Sequence, residues 1–351
     1  MPAGSIVYTE KYSSIAFTPP LLRDAWTRRV KIFAERYLPV LEEMGVRVLE
    51  PRLIDPGLLE LIHDREYIEY VKRASQEGKG WLDYGDTPAY PGVFEDALLA
   101  VSGSATCASI LPGGGACFNP QGGFHHARRR SAGGFCVFND VALTAVLLSR
   151  RGRVAVVDVD AHHGDGTQEI LYETPILKIS LHGYGYGFYP GTGWIDELGR
   201  GDGECLNVNI PVPLSSGDDV FGEALALIGD LLESYNPEYI VLQGGVDGHI
   251  GDPLVGLRYT DNSYWALGVM LNKYRERGVG VIMLGGGGYV PGEAARLWAV
   301  EYSTILWGEG APFKPREHPT ESEGWVRGVV ADRIGFLRER LGDCGLLQVD
   351  I

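Results

Sequence analysis

The stretch Arg153 to Thr167, RVAVVDVDAHHGDGT, constrains the fold more than any other part of the chain. Val154, Ala155, Val156 and Val157 form a mostly β-branched run of the kind found in strands buried on both faces. Five ionisable groups follow at once: Asp158, Asp160, His162, His163 and Asp165. Side chains alternate along a strand, so Asp158, Asp160 and His162 start on one face and can converge where the chain curls off the sheet. Carboxylates leaving an apolar strand repel each other and lose hydration unless a cation or hydrogen bonds compensate. A single Asp or His there would read as a solvated loop with an N-cap at Asp165; five together read as a metal site.

The rest of the chain repeats one pattern of strand, polar or glycine-rich loop, and helix. Strands are expected at 5–8, 46–49, 176–181, 205–210, 238–243 and 279–284. Helices are expected at 21–44 (closed by Gly45), 56–62, 64–75, 94–111, 140–150 (capped by Asn139 or Asp140), 218–235, 260–277, 293–306 and about 321–341, the last a packing element. Such alternation argues for an α/β fold with a central, mostly parallel sheet, whose sites form at the carboxyl ends of strands. The candidate groups lie there: after Val157, after Gln243 in GGVDGHIGDPL, and after Leu284 in GGGGY. Gly78 to Gly92 reads as a surface loop carrying Asp86, and a glycine-dense segment, 113–134, carries the paired His125 and His126.

With 351 residues, 45% of them hydrophobic, the chain has ample material for a core, and no low-complexity linker divides it, so 1–351 is expected to be a single domain. The net charge of -15 speaks against binding phosphate backbones. Cys107, Cys117, Cys136, Cys205 and Cys344 are odd in number with no CxxC pair, and read as reduced thiols. The N-terminus lacks a signal-type apolar run and no segment approaches ~18 uninterrupted apolar residues, so a cytoplasmic protein without membrane or nucleic-acid partners is expected.

Asp160 and His162 form an Asp-x-His pair, and Asp247 lies at the end of a distant strand. Two carboxylates and an imidazole suit Zn2+, with Fe2+ the competitor, and three protein ligands leave a position open for water. His125 and His126 would serve as general base and acid, with Asp158 and Asp165 available to orient them. Tyr289, projecting from its glycine turn, could donate to a developing oxyanion.

GGFHHA at 122–127, GFCVFND at 134–140, DVDAHHGDG at 158–166, SLH at 180–182, FYPGTG at 188–193, QGGVDGHIGDPL at 243–254 and LGGGGY at 284–289 resemble the ordered motifs of the zinc-dependent histone deacetylases, the superfamily that includes acetoin utilization proteins and acetylpolyamine amidohydrolases. The resemblance spans about 80–307. It implies the three-layer αβα arginase/deacetylase fold and hydrolysis of an acetylated amine to acetate and free amine. It implies Asp160, His162 and Asp247 as zinc ligands, His126 with Asp165 as principal acid/base, His125 with Asp158 as its electrostatic partner, and Tyr289 as the carbonyl-polarising group. Phe135 and Tyr189 would wall the acyl tunnel, Gly134 would sit on its floor or rim, and Asp86 would hold substrate amides. A structural K+ would lie by Asp158, Asp160, His162, Ser180 and Leu181. The family's histidine-proline element near the N-terminus is not evident, the chain reading FTPP at 17–20. Tyr189 stands where Phe is usual, and Leu254 stands where polyamine deacetylases carry a glutamate.

The substrate is then an acetyl-lysine side chain of a protein or, alternatively, a small acetylated amine, and homo-oligomerisation is left open. A two-manganese arginase or agmatinase would need carboxylates at the positions of Gly164 and His249. A silent acetyl-binding module would have no use for the full set of catalytic groups.

Overall fold

A computed structural model describes residues 4–111 and 113–347. The N-terminal part contains β1 (Gly4–Val7), α1 (Pro20–Arg36), α2 (Leu38–Glu43), β2 (Arg47–Leu49), α3 (Arg65–Glu77) and α4 (Val93–Ile110). The centre contains β3 (Ala116–Asn119), α5 (Asp140–Ser149), β4 (Val154–Asp158), α6 (Asp165–Leu171), β5 (Leu177–Gly183), β6 (Asn207–Val212) and α7 (Asp218–Tyr235). Then follow β7 (Tyr239–Gln243), α8 (Asp261–Glu276), β8 (Gly280–Leu284), α9 (Pro291–Trp307) and α10 (Gly324–Asp343).

The strands make one sheet in the order β2-β1-β3-β8-β7-β4-β5-β6, and every pairing is parallel. The central strands β4, β7 and β8 are buried almost throughout, as their unbroken apolar runs require in a sheet covered on both faces. α4 and α5 pack together on one set of strands, and α1, α8 and α9 form a second helical group, giving the three-layer α/β architecture. Asp158 lies opposite Ser180 on one side and Gln243 on the other, and Gln243 lies opposite Leu284. That register brings the tips of β4, β7 and β8 level, so the three motif loops open at one edge.

The helix expected over 21–44 breaks at Tyr37, with Pro39 at the second position of α2, because proline tolerates a helix start but not an interior. The segment 56–62 is a 3-10 helix (Pro56–Leu61), capped by Asp55 at the Gly57 amide. β3 lies within the glycine-dense segment, where no strand is expected from the sequence; its four residues are too short for a periodic signal and are defined by pairing with β1 and β8. Asn139 caps α5 by accepting from the Ala142 amide, and α10 packs on β6 and α7 as expected of a closing helix. α4 is long and apolar enough to cross a membrane, yet it is mostly buried against β1, β3 and α5.

The expectation of five reduced thiols is corrected. Cys107 is bonded to Cys117 and Cys205 to Cys344, with Cα separations of 5.5 and 6.4 Å, and Cys136 alone is free and buried. The first bond joins α4 to β3 and the second joins the segment before β6 to the end of α10. Tertiary proximity decides such pairing, and an odd count without CxxC carries no trace of it. The thiol argument for a cytoplasmic setting falls with it.

Candidate active site

The glycine loops are what allow the three strand tips to meet. Gly123 has φ 94°, and a Cβ there would lie 2.3 Å from the Gly286 amide nitrogen, so the loop bearing His125 and His126 touches the loop bearing Tyr289 backbone to backbone. Asp140, buried at the start of α5, holds the first loop by accepting from the Phe124 amide at 2.7 Å and the Gly123 amide at 3.1 Å. Gly122 accepts from the Gly286 amide at 2.9 Å.

Asp160, His162 and Asp247 converge, with one ligand atom of each lying within 4.8 Å of the others. His162 Nδ1 is 3.1 Å from Asp160 Oδ1 and 2.9 Å from Asp247 Oδ2. The remaining carboxylate oxygens are occupied by donors. Asp160 Oδ2 accepts from Gln243 Nε2 at 2.9 Å and from the Gly287 amide at 2.8 Å; Asp247 Oδ1 accepts from the Ala161 amide at 2.8 Å. Burial works against a charged His162, yet Asp247 and Asp160 lift its pKa to about 10. The cluster therefore demands positive charge, and a divalent ion fits this mixed oxygen and nitrogen donor set. Among the described residues it is the one such group of ligating side chains. Phe188 stacks flat on the His162 ring at 5.0 Å and holds its orientation.

His125 and His126 stand beside the cluster, both buried. His125 Nδ1 donates to Asp158 Oδ2 at 2.8 Å, His126 Nδ1 donates to Asp165 Oδ1 at 2.8 Å, and the two Nε2 atoms are 3.0 Å apart. Burial opposes charge on His125, but Asp158 and Asp160 outweigh it and raise the pKa to about 9. Burial and the charge of His125 push His126 down to about 4, against the pull of Asp165. Both Nδ1 atoms face carboxylates, so the 3.0 Å between the Nε2 atoms fits one proton shared by the pair. Arg128 grips Asp165 Oδ2 through Nε at 3.1 Å and Nη2 at 2.7 Å.

Tyr289 lies between Trp26 and Phe135, with ring centroids 6.3 and 6.1 Å away, and Asp252 fixes its amide at 2.8 Å. Burial, Asp247 and Asp160 push its phenol well above the usual range, so the hydroxyl stays a donor. Tyr189 stacks edge-on against His126 at 4.9 Å, and a Cβ on Gly134 would lie 2.4 Å from the His126 ring, so both border the approach. A cavity of 530 Å³ opens from His126 past Gly133 and Tyr189 to Asp83, Tyr84 and Asp86. Burial and Asp83 raise Asp86 to about 7. Leu254 is about half exposed, its amide held by Asp252. Ser180 Oγ donates to His182 Nδ1 at 2.9 Å, and Leu181 is buried in β5. A larger cavity, 660 Å³, lies behind Arg128 and Asp165 and does not reach the metal-ligating cluster.

Several site residues carry no local sequence signal. Arg29, buried in α1, donates to the Gly286 carbonyl at 2.8 Å and the Gly288 carbonyl at 3.2 Å, bracing the turn before Tyr289. Asp140, Asp252 and Arg128 act through partners far away in sequence. Gln243 alone was legible in principle, because the last residue of a buried strand beside Asp158 has its side chain at the site edge.

The sequence pattern of the family described as the histone deacetylase domain matches residues 27–305. The acetoin utilization protein AcuC of Bacillus subtilis is 36% identical over 271 residues, 72% of this chain and 70% of that protein. Histone deacetylase 8 of Xenopus tropicalis is 32% identical over 279 residues, 76% of this chain and 74% of that one. A probable deacetylase of Archaeoglobus fulgidus is 35% identical over 234 residues, 64% of each chain. The match begins inside α1 and so takes in the Arg29 brace as well as the motif loops. A parallel α/β sheet with these loops at one edge, and a domain match over most of the length, make this chain a member of the histone deacetylase family and a hydrolytic deacetylase.

Proposed function

We propose that the chain removes acetyl groups from acetyl-lysine side chains of proteins, with Zn2+ held by Asp160, His162 and Asp247. The convergence of those three side chains beside two paired imidazoles carries the reading. A divalent ion there would polarise the acyl carbonyl and acidify a water. His126, its pKa lowered by burial and by His125, takes the proton of the attacking water at Nε2 as the shared proton moves onto His125, while Asp165 orients its Nδ1–H. His125, its pKa raised by Asp158 and Asp160, supplies positive charge beside the developing oxyanion once it holds that proton. The Tyr289 hydroxyl donates to that oxyanion, and a histidine proton passes to the leaving amine. Phe135 and Tyr189 flank the acyl chain, and Asp86 at the cavity mouth accepts from substrate backbone amides. A K+ ion by Asp158, Asp160, His162, Ser180 and Leu181 belongs to the same reading.

Leu254, about half exposed, stands where polyamine deacetylases carry a glutamate, which favours a peptide over a polyamine. His249 Nε2 donates to Glu317 at 2.8 Å, and the space beside Gly164 is filled by the Asp158 carboxylate, which speaks against the second ion of a ureohydrolase.

The test is turnover of acetyl-lysine peptides against acetylated polyamines, with metal counted on the same samples. One equivalent of zinc and a preference for peptide are expected. Asp247→Ala should lose both the metal and turnover; a variant that still holds one equivalent would refute the ligand set.

A further inference from the structure

β5 carries an anomaly for a wholly buried strand. Leu177, Ile179 and Leu181 face one side, while Lys178, Ser180 and His182 face the other, and Lys178 is 1% exposed. Burying an ammonium is costly unless its donors are met and negative charge lies near. No carboxylate reaches Lys178 Nζ within ion-pair distance among the described residues; its neighbours are His163 Nε2 at 3.2 Å, Asn209 Oδ1 at 3.4 Å and Gln168 Oε1 at 3.5 Å. Asp158, Glu197 and Asp165 supply the compensating field.

His163 Nε2 faces Gln168 Oε1, which can only accept, at 3.0 Å and the Lys178 ammonium, which can only donate, at 3.2 Å. With Nε2 accepting from Lys178, Nδ1–H donates to Thr192 Oγ1 at 2.9 Å. Gln168 Oε1, the competing partner of Nε2, already receives the Asn207 and Asn209 amides at 2.9 and 2.8 Å. Thr192 belongs to the segment 184–194, which also carries Phe188 and Tyr189. The next residue is tied too: Gly193 has φ 89°, its carbonyl meets His182 Nε2 at 3.0 Å, and a Cβ there would lie 2.5 Å from His163. Phe188 stacks on His162 and Tyr189 abuts His126, so the segment is a wall of the candidate active site.

We propose that Lys178 is a positioning residue for the acyl tunnel: its buried ammonium donates to His163, His163 donates to Thr192, and this chain of bonds holds the wall segment against the catalytic groups. The functional half rests on the deacetylase reading above; the structural half does not.

The experiment is hydrogen exchange by mass spectrometry on the full chain, wild type against Lys178→Met and Thr192→Val, followed by kinetics on the zinc-loaded proteins. Each substitution removes one link, and loss of one hydrogen bond corresponds to roughly tenfold faster opening. Exchange of amides 185–194 should quicken by about tenfold in either variant, with amides 285–289 unchanged as an internal control. In the double variant the increase should not exceed that of one single variant, because the two residues act in series. KM for an acetyl-lysine peptide should rise more than kcat falls, with zinc stoichiometry unaltered. Unchanged exchange in Thr192→Val, which leaves the buried cation intact and so spares the core, overturns the proposal even if Lys178→Met fails to fold. Additive effects overturn the series arrangement. Faster exchange with an unaltered KM would refute the tunnel role alone and leave the link standing.

Discussion

The two adjacent histidines are pushed in opposite directions because their surroundings differ. His125 is hydrogen-bonded to Asp158 and lies within 3.8 Å of Asp160, which together raise its pKa, while burial and the neighbouring His125 lower that of His126. The phenol of Tyr289 completes the set as a donor that burial keeps protonated. Tyr289→Phe removes that donor without changing shape, so kcat should fall by on the order of 10²–10³ with KM little altered. Steady-state kinetics on acetyl-lysine peptide measures this, and an unaltered kcat would take the phenol out of the chemistry. That these residues belong to one cluster was legible in the chain because carboxylate, imidazole and glycine recur in short, dense motifs. Asp140, Asp252 and Arg29 were not, since each acts by a single long-range bond that no local pattern encodes.

At the scale of elements, α9 contains a feature with a measurable cost. Glu301 is wholly buried, neither of its carboxylate oxygens has a partner, and one lies 2.9 Å from where a Gly244 side chain would begin. Burial raises its pKa from 4.5 to about 8. Between those values the native state keeps a proton that the unfolded chain has released, so stability falls as pH rises from about 4.5 to about 8 and then levels. Glu301→Gln removes this dependence and should be more stable than wild type at pH 8, by on the order of a few kcal/mol, with little difference at pH 4.5. Urea midpoints at the two pH values decide it; a wild-type midpoint insensitive to pH would mean the carboxyl has found a cation. Helices and central strands were readable from periodicity. The break at Tyr37 and the short β3 were not, because a kink and a four-residue strand arise from packing rather than pattern.

At the scale of the molecule, the sheet order sets everything else. Placing β8, β7 and β4 side by side puts loops some forty to one hundred and thirty residues apart into backbone contact. The chain is then closed by α10 and by the bond from Cys344 to Cys205, which spans 139 residues. Cross-links of this kind act mainly by restricting the unfolded chain, so Cys344→Ser should lower stability by about 2–4 kcal/mol while leaving kcat unaltered. Thermal melts with and without reductant test this, and identical melts would show that the bond contributes nothing.

Family, fold class and the metal and histidine clusters were determined by the sequence itself, because buried parallel strands need unbroken apolar runs and because ionisable groups at their ends are too costly to occur in such numbers without a task. The tertiary structure alone decided which way each imidazole's pKa is pushed, which cysteines pair, and that Lys178 is buried beside His163. Those outcomes depend on distances between residues far apart in the chain, and electrostatic and hydrogen-bond energies are set by distance and burial rather than by order along the backbone.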